Sequence, residues 1–348
     1  VKRSVQEPVV LLTGGGTGGH LAIVRALKEA FLKRGIRPMY IGSQSGQDRR
    51  WFADDDDFSQ KFFLKTRGVV NRRGIAKVAA LWEIAKAAAA SGRIIREANV
   101  QAVVSVGGFS AAPAAFAAIL TRTPLFIHEQ NAVPGRLNAL LRPFAAAFFS
   151  SFGFDAVPYP VADRFFEKAR LRKALKTLIF LGGSQGATAI NEFALKAAPM
   201  LKKRGIKIIH QTGERDVERV RDGYEKMGVE AEVFAFHPAL DEKIAEADFA
   251  VSRAGASTLW ELAASQIPTL FVPYPYAAGD HQYHNARYLA EQDAGYVIRQ
   301  EDLRPDTLEA ILNRPLAPVS RKLVEMIEPG GADRIVEAVL RDNETPAR

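Results

Sequence analysis

Twice in this chain a short apolar run breaks into glycines and then into a helical pattern. Val9-Val10-Leu11-Leu12-Thr13 leads into Gly14-Gly15-Gly16-Thr17-Gly18-Gly19-His20, after which Leu21, Val24, Leu27, Ala30 and Phe31 recur at three- and four-residue spacing. Leu178-Ile179-Phe180-Leu181 leads into Gly182-Gly183-Ser184-Gln185-Gly186-Ala187 and a second helix. Strands this continuously apolar are covered on both faces, as in parallel sheets flanked by helices. Further runs follow the same plan: Met39-Tyr40-Ile41 stopped by Gly42, residues 103–106 stopped by Gly107-Gly108, and Leu125-Phe126-Ile127 stopped by His128-Glu129-Gln130-Asn131. Residues 206–209, 249–251 and 270–272 repeat it in the second half. Pro158-Tyr159-Pro160 stiffens the chain between the two halves and opposes helix and sheet alike. The expected fold class is α/β, with two doubly wound domains over residues 1–157 and 158–330 facing across a cleft. One long sheet is the alternative.

Length and charge narrow the partners. A chain of 348 residues suffices for two domains, and 47 % hydrophobic with 25 % charged residues excludes a disordered or collagen-like chain. The absence of cysteine excludes a disulfide framework and a thiolate zinc site. A formal net charge of +8 favours anionic partners such as phosphorylated substrates or acidic lipid. No module with interleaved basic and aromatic residues points to nucleic acid. No run approaches the roughly 18 apolar residues of a spanning helix, and no cleavable leader pattern opens the chain. The expectation is a protein that does not cross a membrane but can lie on one.

In open α/β sheets ligands bind beyond the carboxyl ends of the strands, where glycine lets a ligand approach the backbone and the next helix offers free N–H groups. Gly14, Gly16 and Gly19 satisfy a dinucleotide spacing, yet the second strand ends in Ile41-Gly42-Ser43 with no carboxylate for a ribose, which argues against a nicotinamide dehydrogenase. The segment Ser252-Arg253-Ala254-Gly255-Ala256-Ser257-Thr258-Leu259-Trp260-Glu261 follows another strand. Its N–H groups suit a diphosphate and Glu261 suits ribose hydroxyls. The plainer reading makes Ser257 or Thr258 a helix cap and Thr258–Glu261 a capping box. Asp280-His281-Gln282-Tyr283-His284-Asn285-Ala286 carries two histidines without a third ligand at matching spacing, so polar contacts to a sugar are expected rather than a metal. The D-x-D spacing within residues 54–57 follows no apolar strand and reads as a solvated acidic turn.

Taken in order, residues 14–20, Gly107-Gly108-Phe109-Ser110, 128–131, 182–187, His210-Gln211-Thr212-Gly213, 252–261 and 280–286 resemble the MurG family of glycosyltransferases, which builds the lipid-linked precursor of the bacterial cell wall. The resemblance implies a GT-B fold of two Rossmann-like domains, with a final helix at about 331–348 packing back on the first. It implies a hexosyltransferase that moves N-acetylglucosamine from UDP-N-acetylglucosamine to undecaprenyl-pyrophosphoryl-muramyl-pentapeptide, with inversion and without a bound metal or other cofactor. It places the donor on Ser184, His237, Ala256, Ser257, Thr258, Leu259, Trp260, Glu261 and Gln282, with Thr17, Gly18, Gly19 and Asn131 reaching it from the other domain. The acceptor falls to Gly16, His20, Gly107, Gly108, Ser110, His128 and Glu129. Two departures stand out. His20 runs straight into Leu21-Ala22-Ile23 where many members carry Phe-Pro-Gly, and Tyr159-Pro160-Val161-Ala162 replaces an Asn-Pro-Val-Arg stretch, leaving Arg164 to stand in for the arginine.

The acceptor hydroxyl must lose a proton as it attacks, a task for a group with pKa near the working pH. His20 is the candidate base and Glu129 the second. A peripheral station on the cytoplasmic face of the plasma (inner) membrane is expected, alongside other cell-wall synthesis proteins. Arg67, Arg72, Arg73 and Lys77 precede an amphipathic stretch with Val78, Leu81, Trp82 and Ile84, and Arg93 and Arg96 follow it; such a basic rim beside an apolar face suits anionic lipid. The plainer alternative packs Leu81 and Trp82 into the protein's own core. Competing functions are a GT-B transferase with a different lipid or small-molecule acceptor, a UDP-N-acetylglucosamine epimerase, and a binding protein without turnover.

Overall fold

The computed structural model describes residues 8–66, 68, 75–153, 156–183 and 186–344, apart from the side chains of 75–77 and 343–344. The chain forms two compact units, one from Val1–Gln130, Pro134–Pro160 and Gly330–Arg348, the other from Asn131–Val133 and Val161–Pro329.

The first unit holds β1 (Val10–Thr13), β2 (Met39–Ser43), β3 (Lys61–Leu64), β4 (Ala102–Ser105), β5 (Leu125–Glu129) and β6 (Ala147–Ser150). They form one parallel sheet in the order β3-β2-β1-β4-β5-β6. Every residue of β1, β2, β4 and β5 is buried, which is why these strands read as unbroken apolar runs. The second unit holds β7 (Thr177–Leu181), β8 (Lys207–Gln211), β9 (Ala231–Phe234), β10 (Phe249–Ser252), β11 (Thr269–Phe271) and β12 (Tyr296–Val297), again all parallel, in the order β12-β11-β10-β7-β8-β9. Counted from its own first strand, this is the same order as in the first sheet. The two sheets are separate, so the single long sheet is excluded. In each, the order reverses beside the first strand, between β1 and β4 and between β7 and β10, which is where such sheets bind ligands.

Helices cover the sheets with apolar rows. The helix Gly18–Leu32 buries Leu21, Val24, Leu27 and Phe31 completely, and each such side chain contributes about 1.5–3 kcal/mol relative to exposure. The helix Gly331–Glu344 returns to this unit and packs on it, burying Ile335, Val336 and Val339. Its Asp333 and Glu337 pair with Arg34. In the second unit Arg172 is fully buried and gives its guanidinium to the carbonyls of Ala247 (3.1 Å), Ser265 (2.6 Å), Arg170 (2.6 Å) and Ile244 (3.3 Å). Those acceptors include the ends of the helices Leu240–Glu246 and Ala256–Ala264, where orphan carbonyls and the helix dipole favour a cation. Residues 54–57 are more than a solvated turn. Asp55 and Asp57 hold the nearly buried Lys28 ammonium at 2.7 and 2.8 Å.

Candidate active site

At the reversal point of the first sheet, the loops after β1 and β4 interlock. The Gly15 N–H donates to the Gly107 carbonyl at 3.2 Å, and a Cβ on Gly108 would lie 2.2 Å from the Gly15 oxygen. Gly108 also sits at φ +80°, so any side chain there would both strain and part the loops. Asp48, a residue no motif marks, ties the outer loop down. Its buried carboxylate accepts from the Gly16 N–H (2.7 Å), the Ser43 N–H (3.0 Å) and the Tyr40 hydroxyl (3.1 Å). Burial, and then the charge of Asp48, raises the Tyr40 phenol far above its ordinary range and keeps it a donor.

His20 lies in the first turn of the helix Gly18–Leu32, half-buried, with Nδ1 2.9 Å from the Thr17 hydroxyl and Nε2 2.8 Å from the Gln130 carboxamide nitrogen. Glu129, the other candidate base, ends β5. Its carboxylate accepts from the Gly135 N–H and from Asn138, both at 2.9 Å, so it shapes the loop that follows. His128 is wholly buried, and among the described residues neither ring nitrogen has a hydrogen-bond partner. Burial, and secondarily His20, pushes its pKa down to about 3, so the ring stays neutral. Ser110, at the mouth of the Gly107-Gly108 loop, is buried with an unpartnered hydroxyl among the described residues.

In the second unit the loop after β7 packs against the end of β8. A Cβ on Gly186, at φ +76°, would come within 2.6 Å of the Thr212 carbonyl. Ser184 and Gln185 lie outside the described residues. After β10, the helix Ala256–Ala264 has Gly255 at its N-cap, two residues before Ser257 and three before Thr258, and it carries no side-chain cap. The Thr258–Glu261 capping box is therefore not formed. The Ser257 hydroxyl instead donates to Glu261 Oε1 at 3.0 Å, one turn along the helix. Burial raises the Glu261 carboxyl above the usual range, against the Ser257 hydrogen bond and the charge of Arg164, with Asp241 adding to the rise. Leu259 and Trp260 point into the core, and the Leu259 N–H is already given to Gly255. Gln282 accepts from the Tyr274 N–H (2.9 Å) and the Ala254 N–H (3.3 Å), which binds its helix to this loop. Asn285 accepts from the Ala132 N–H at 2.8 Å and donates to Asn131 Oδ1 at 3.1 Å, holding segment 131–133 in this unit. His237 accepts from the Ala239 N–H at 3.2 Å. Among the described residues no three histidine or carboxylate groups gather as a metal set.

Comparison with known proteins decides what this pair of glycine-loop units is. Residues 10–150 match the glycosyltransferase family 28 N-terminal domain and 177–334 its C-terminal domain. Over 333 residues, 95 % of this chain and 99 % of the other, it is 50 % identical to the Wolinella succinogenes UDP-N-acetylglucosamine–N-acetylmuramyl-(pentapeptide) pyrophosphoryl-undecaprenol N-acetylglucosamine transferase. A Campylobacter jejuni protein of the same name is 50 % identical over 97 % of this chain and 98 % of its own. The chain belongs to the MurG family of glycosyltransferases. The crystal structure of Acinetobacter baumannii MurG superposes with a TM-score of 0.79 at 28 % identity, covering 97 % of this chain and all of that one, and the fold is GT-B. A putative UDP-N-acetylglucosamine 2-epimerase from Listeria monocytogenes shares the fold alone, with a TM-score of 0.64 at 12 % identity over 98 % of each chain.

Against the MurG pattern, the linker departure finds a structural setting. Arg164 stands on the short helix Asp163–Glu167 and pairs with Asp241 at 3.3 Å, close enough to Glu261 to act on its charge. Tyr159, in place of the linker asparagine, is buried with its ring edge-on to His128 at 5.6 Å. On the membrane-facing candidate, Arg67, Arg72 and Arg73 and the side chain of Lys77 lie outside the described residues. The helix Ile75–Glu97 buries Ala80, Ala87, Ala88, Ser91 and Ile95 but leaves Val78, Leu81 and Trp82 at least half exposed, so Leu81 and Trp82 are not core residues. Lys86 lies over the Trp82 ring at 5.3 Å. No helix among the described residues is long and apolar enough to cross a membrane.

Proposed function

We propose that this chain transfers N-acetylglucosamine from UDP-N-acetylglucosamine to undecaprenyl-pyrophosphoryl-muramyl-pentapeptide (lipid I), giving lipid II for peptidoglycan synthesis, with inversion at the anomeric carbon. The observation that carries this is half identity over nearly the whole length to enzymes named for that transfer. The second unit holds the donor. The uncapped start of the helix Ala256–Ala264 and the loop bearing Ser184 take the diphosphate, Glu261 accepts from the ribose, and Gln282 turns its carboxamide N–H toward the sugar. Those N–H groups meet the charge that grows on UDP as it leaves, so no metal is required. In the first unit the Gly16, Gly107, Gly108 and Ser110 loops take the acceptor, and His20 takes the proton of its hydroxyl. The prior commitment of Glu129 to Gly135 and Asn138 favours His20 for that role.

The enzyme works on the cytoplasmic face of the plasma membrane without crossing it, with Val78, Leu81 and Trp82 entering the headgroup region and Lys86, Arg93 and Arg96 facing anionic lipid. The test is transfer of radiolabel from UDP-N-acetylglucosamine to the lipid-linked muramyl-pentapeptide in detergent with excess EDTA. Labelled lipid is expected. Product that returns only with magnesium would overturn the metal-free reading, and donor binding with no transfer in either condition would move the assignment to another acceptor or to an epimerase.

A further inference from the structure

The candidate base does not stand alone on its loop. Gln130 Nε2 lies 2.8 Å from His20 Nε2, and the Tyr159 hydroxyl donates to Gln130 Oε1 at 3.5 Å. On the far side of the ring, His20 Nδ1 meets the Thr17 hydroxyl at 2.9 Å. Gln130 and Tyr159 are both buried, at 8 % and 2 % exposure, whereas His20 reaches solvent. The hydrogen bonds thus run as one chain from the rigid Pro158-Tyr159-Pro160 segment to the imidazole.

That chain has a chemical consequence. A carboxamide nitrogen can only donate, so the His20 nitrogen facing it must be the one with the lone pair. The proton then sits on Nδ1 and is given to Thr17. We infer that Gln130 and Tyr159 are positioning residues that hold His20 in the Nδ1–H tautomer, with its basic Nε2 capped until the acceptor hydroxyl displaces the carboxamide. This rests on His20 being the base. The acceptor O–H then breaks with its proton going to Nε2, while the new O–C1 bond forms and the C1–O bond to UDP breaks with its electron pair leaving on the diphosphate. Tyr159 meets Gln130 through its hydroxyl and His128 through its ring. His128 brings no charge of its own, because burial keeps it neutral.

Two-bond 1H–15N correlation spectra of 15N-histidine-labelled protein at neutral pH read the tautomer directly, with His20 assigned by its loss in His20→Gln. Wild type should show His20 protonated at Nδ1. Gln130→Leu should shift it to the Nε2–H form or to a mixture, and Tyr159→Phe, which keeps the ring on His128, should do so partly. An unchanged urea midpoint of the first unit, which holds all three residues, reports an intact fold in each variant. In transfer assays kcat should fall about 10-fold or more in Gln130→Leu and about 3-fold in Tyr159→Phe, with the donor KM changed less than about twofold, as expected for groups acting through a general base. Wild-type His20 found in the Nε2–H form, or left unmoved by Gln130→Leu, would overturn the inference. Full kcat in His20→Gln would instead sink the base assignment while leaving the tautomer result standing.

Discussion

At the scale of single residues, function here depends on groups whose chemistry is set by neighbours distant in sequence. Glu261 shows it best. Its place four residues after Ser257 is visible in the sequence, but its raised pKa follows from burial beside Asp241. A carboxyl raised above the ordinary value of about 4.3 takes up its proton at a higher pH than usual and, in the proposed donor role, then accepts hydrogen bonds from the ribose less well. Donor affinity should therefore weaken as pH falls toward that raised pKa from above. Glu261→Gln should bind donor more weakly at neutral pH, by about 10-fold for the loss of a charged acceptor, and should lose this acid limb. Titration calorimetry with UDP between pH 5 and 8 checks both. Asp48 is the opposite case. It stands in no motif, and only the fold shows that three donors from β2 and the first glycine loop converge on it.

At the scale of elements, the strands the apolar runs predict are the inner ones. The four strands those runs do not predict, β3, β6, β9 and β12, are the outermost members of the two sheets. Most of their residues are only part-buried, as suits strands at a sheet edge. Arg172 belongs to this scale too, because it joins helix ends rather than supporting a local turn. Burial pushes its pKa down only to about 10, so it remains charged at neutral pH. Arg172→Leu should strand several carbonyls and lower the stability of the second unit by about 3–5 kcal/mol, the range for breaking a buried charged network, measured by urea unfolding. On the helix Ile75–Glu97, replacing Leu81 and Trp82 together by aspartate should leave stability within about 0.5 kcal/mol, as for exposed positions. It should also abolish cosedimentation with phosphatidylglycerol vesicles. Retained binding would show that the apolar ridge is not the membrane contact.

At the scale of the whole molecule, each unit buries one neutral histidine, His128 in the first and His210 in the second, with pKa values pushed down to about 3 by burial. In the unfolded chain histidine titrates near 6.5, so below that pH the unfolded state binds more protons than the folded one. Stability is therefore complete above about pH 6.5 and falls as the pH drops, by about 1.4 kcal/mol per pH unit for each histidine, until it nears the folded value. Both units should weaken well above the carboxylate range. His128→Phe should flatten the dependence for the first unit alone, since that ring leaves no hydrogen bond behind, and urea midpoints between pH 7.5 and 5.5 would show it. In the second unit His210 has Asn191 and Tyr224 as partners, so its removal should also lower the midpoint at neutral pH.

The sequence by itself determined the class of fold, the doubling of the domain, the glycine loops and the family, because each is written in residues close along the chain. Apolar runs answer to burial on both faces, and glycine answers to a backbone that no side chain may crowd. The tertiary structure alone decided what surrounds those loops. It brought Gln130 and Tyr159 to His20, Asp48 under Gly16, Arg172 to two helix ends and Arg164 within reach of Glu261. It also turned Leu81 and Trp82 outward on a helix whose small residues face in. Hydrogen bonds and charges act through space over a few ångströms, and the spacing of residues along the chain carries no record of such distances until the sheets have formed.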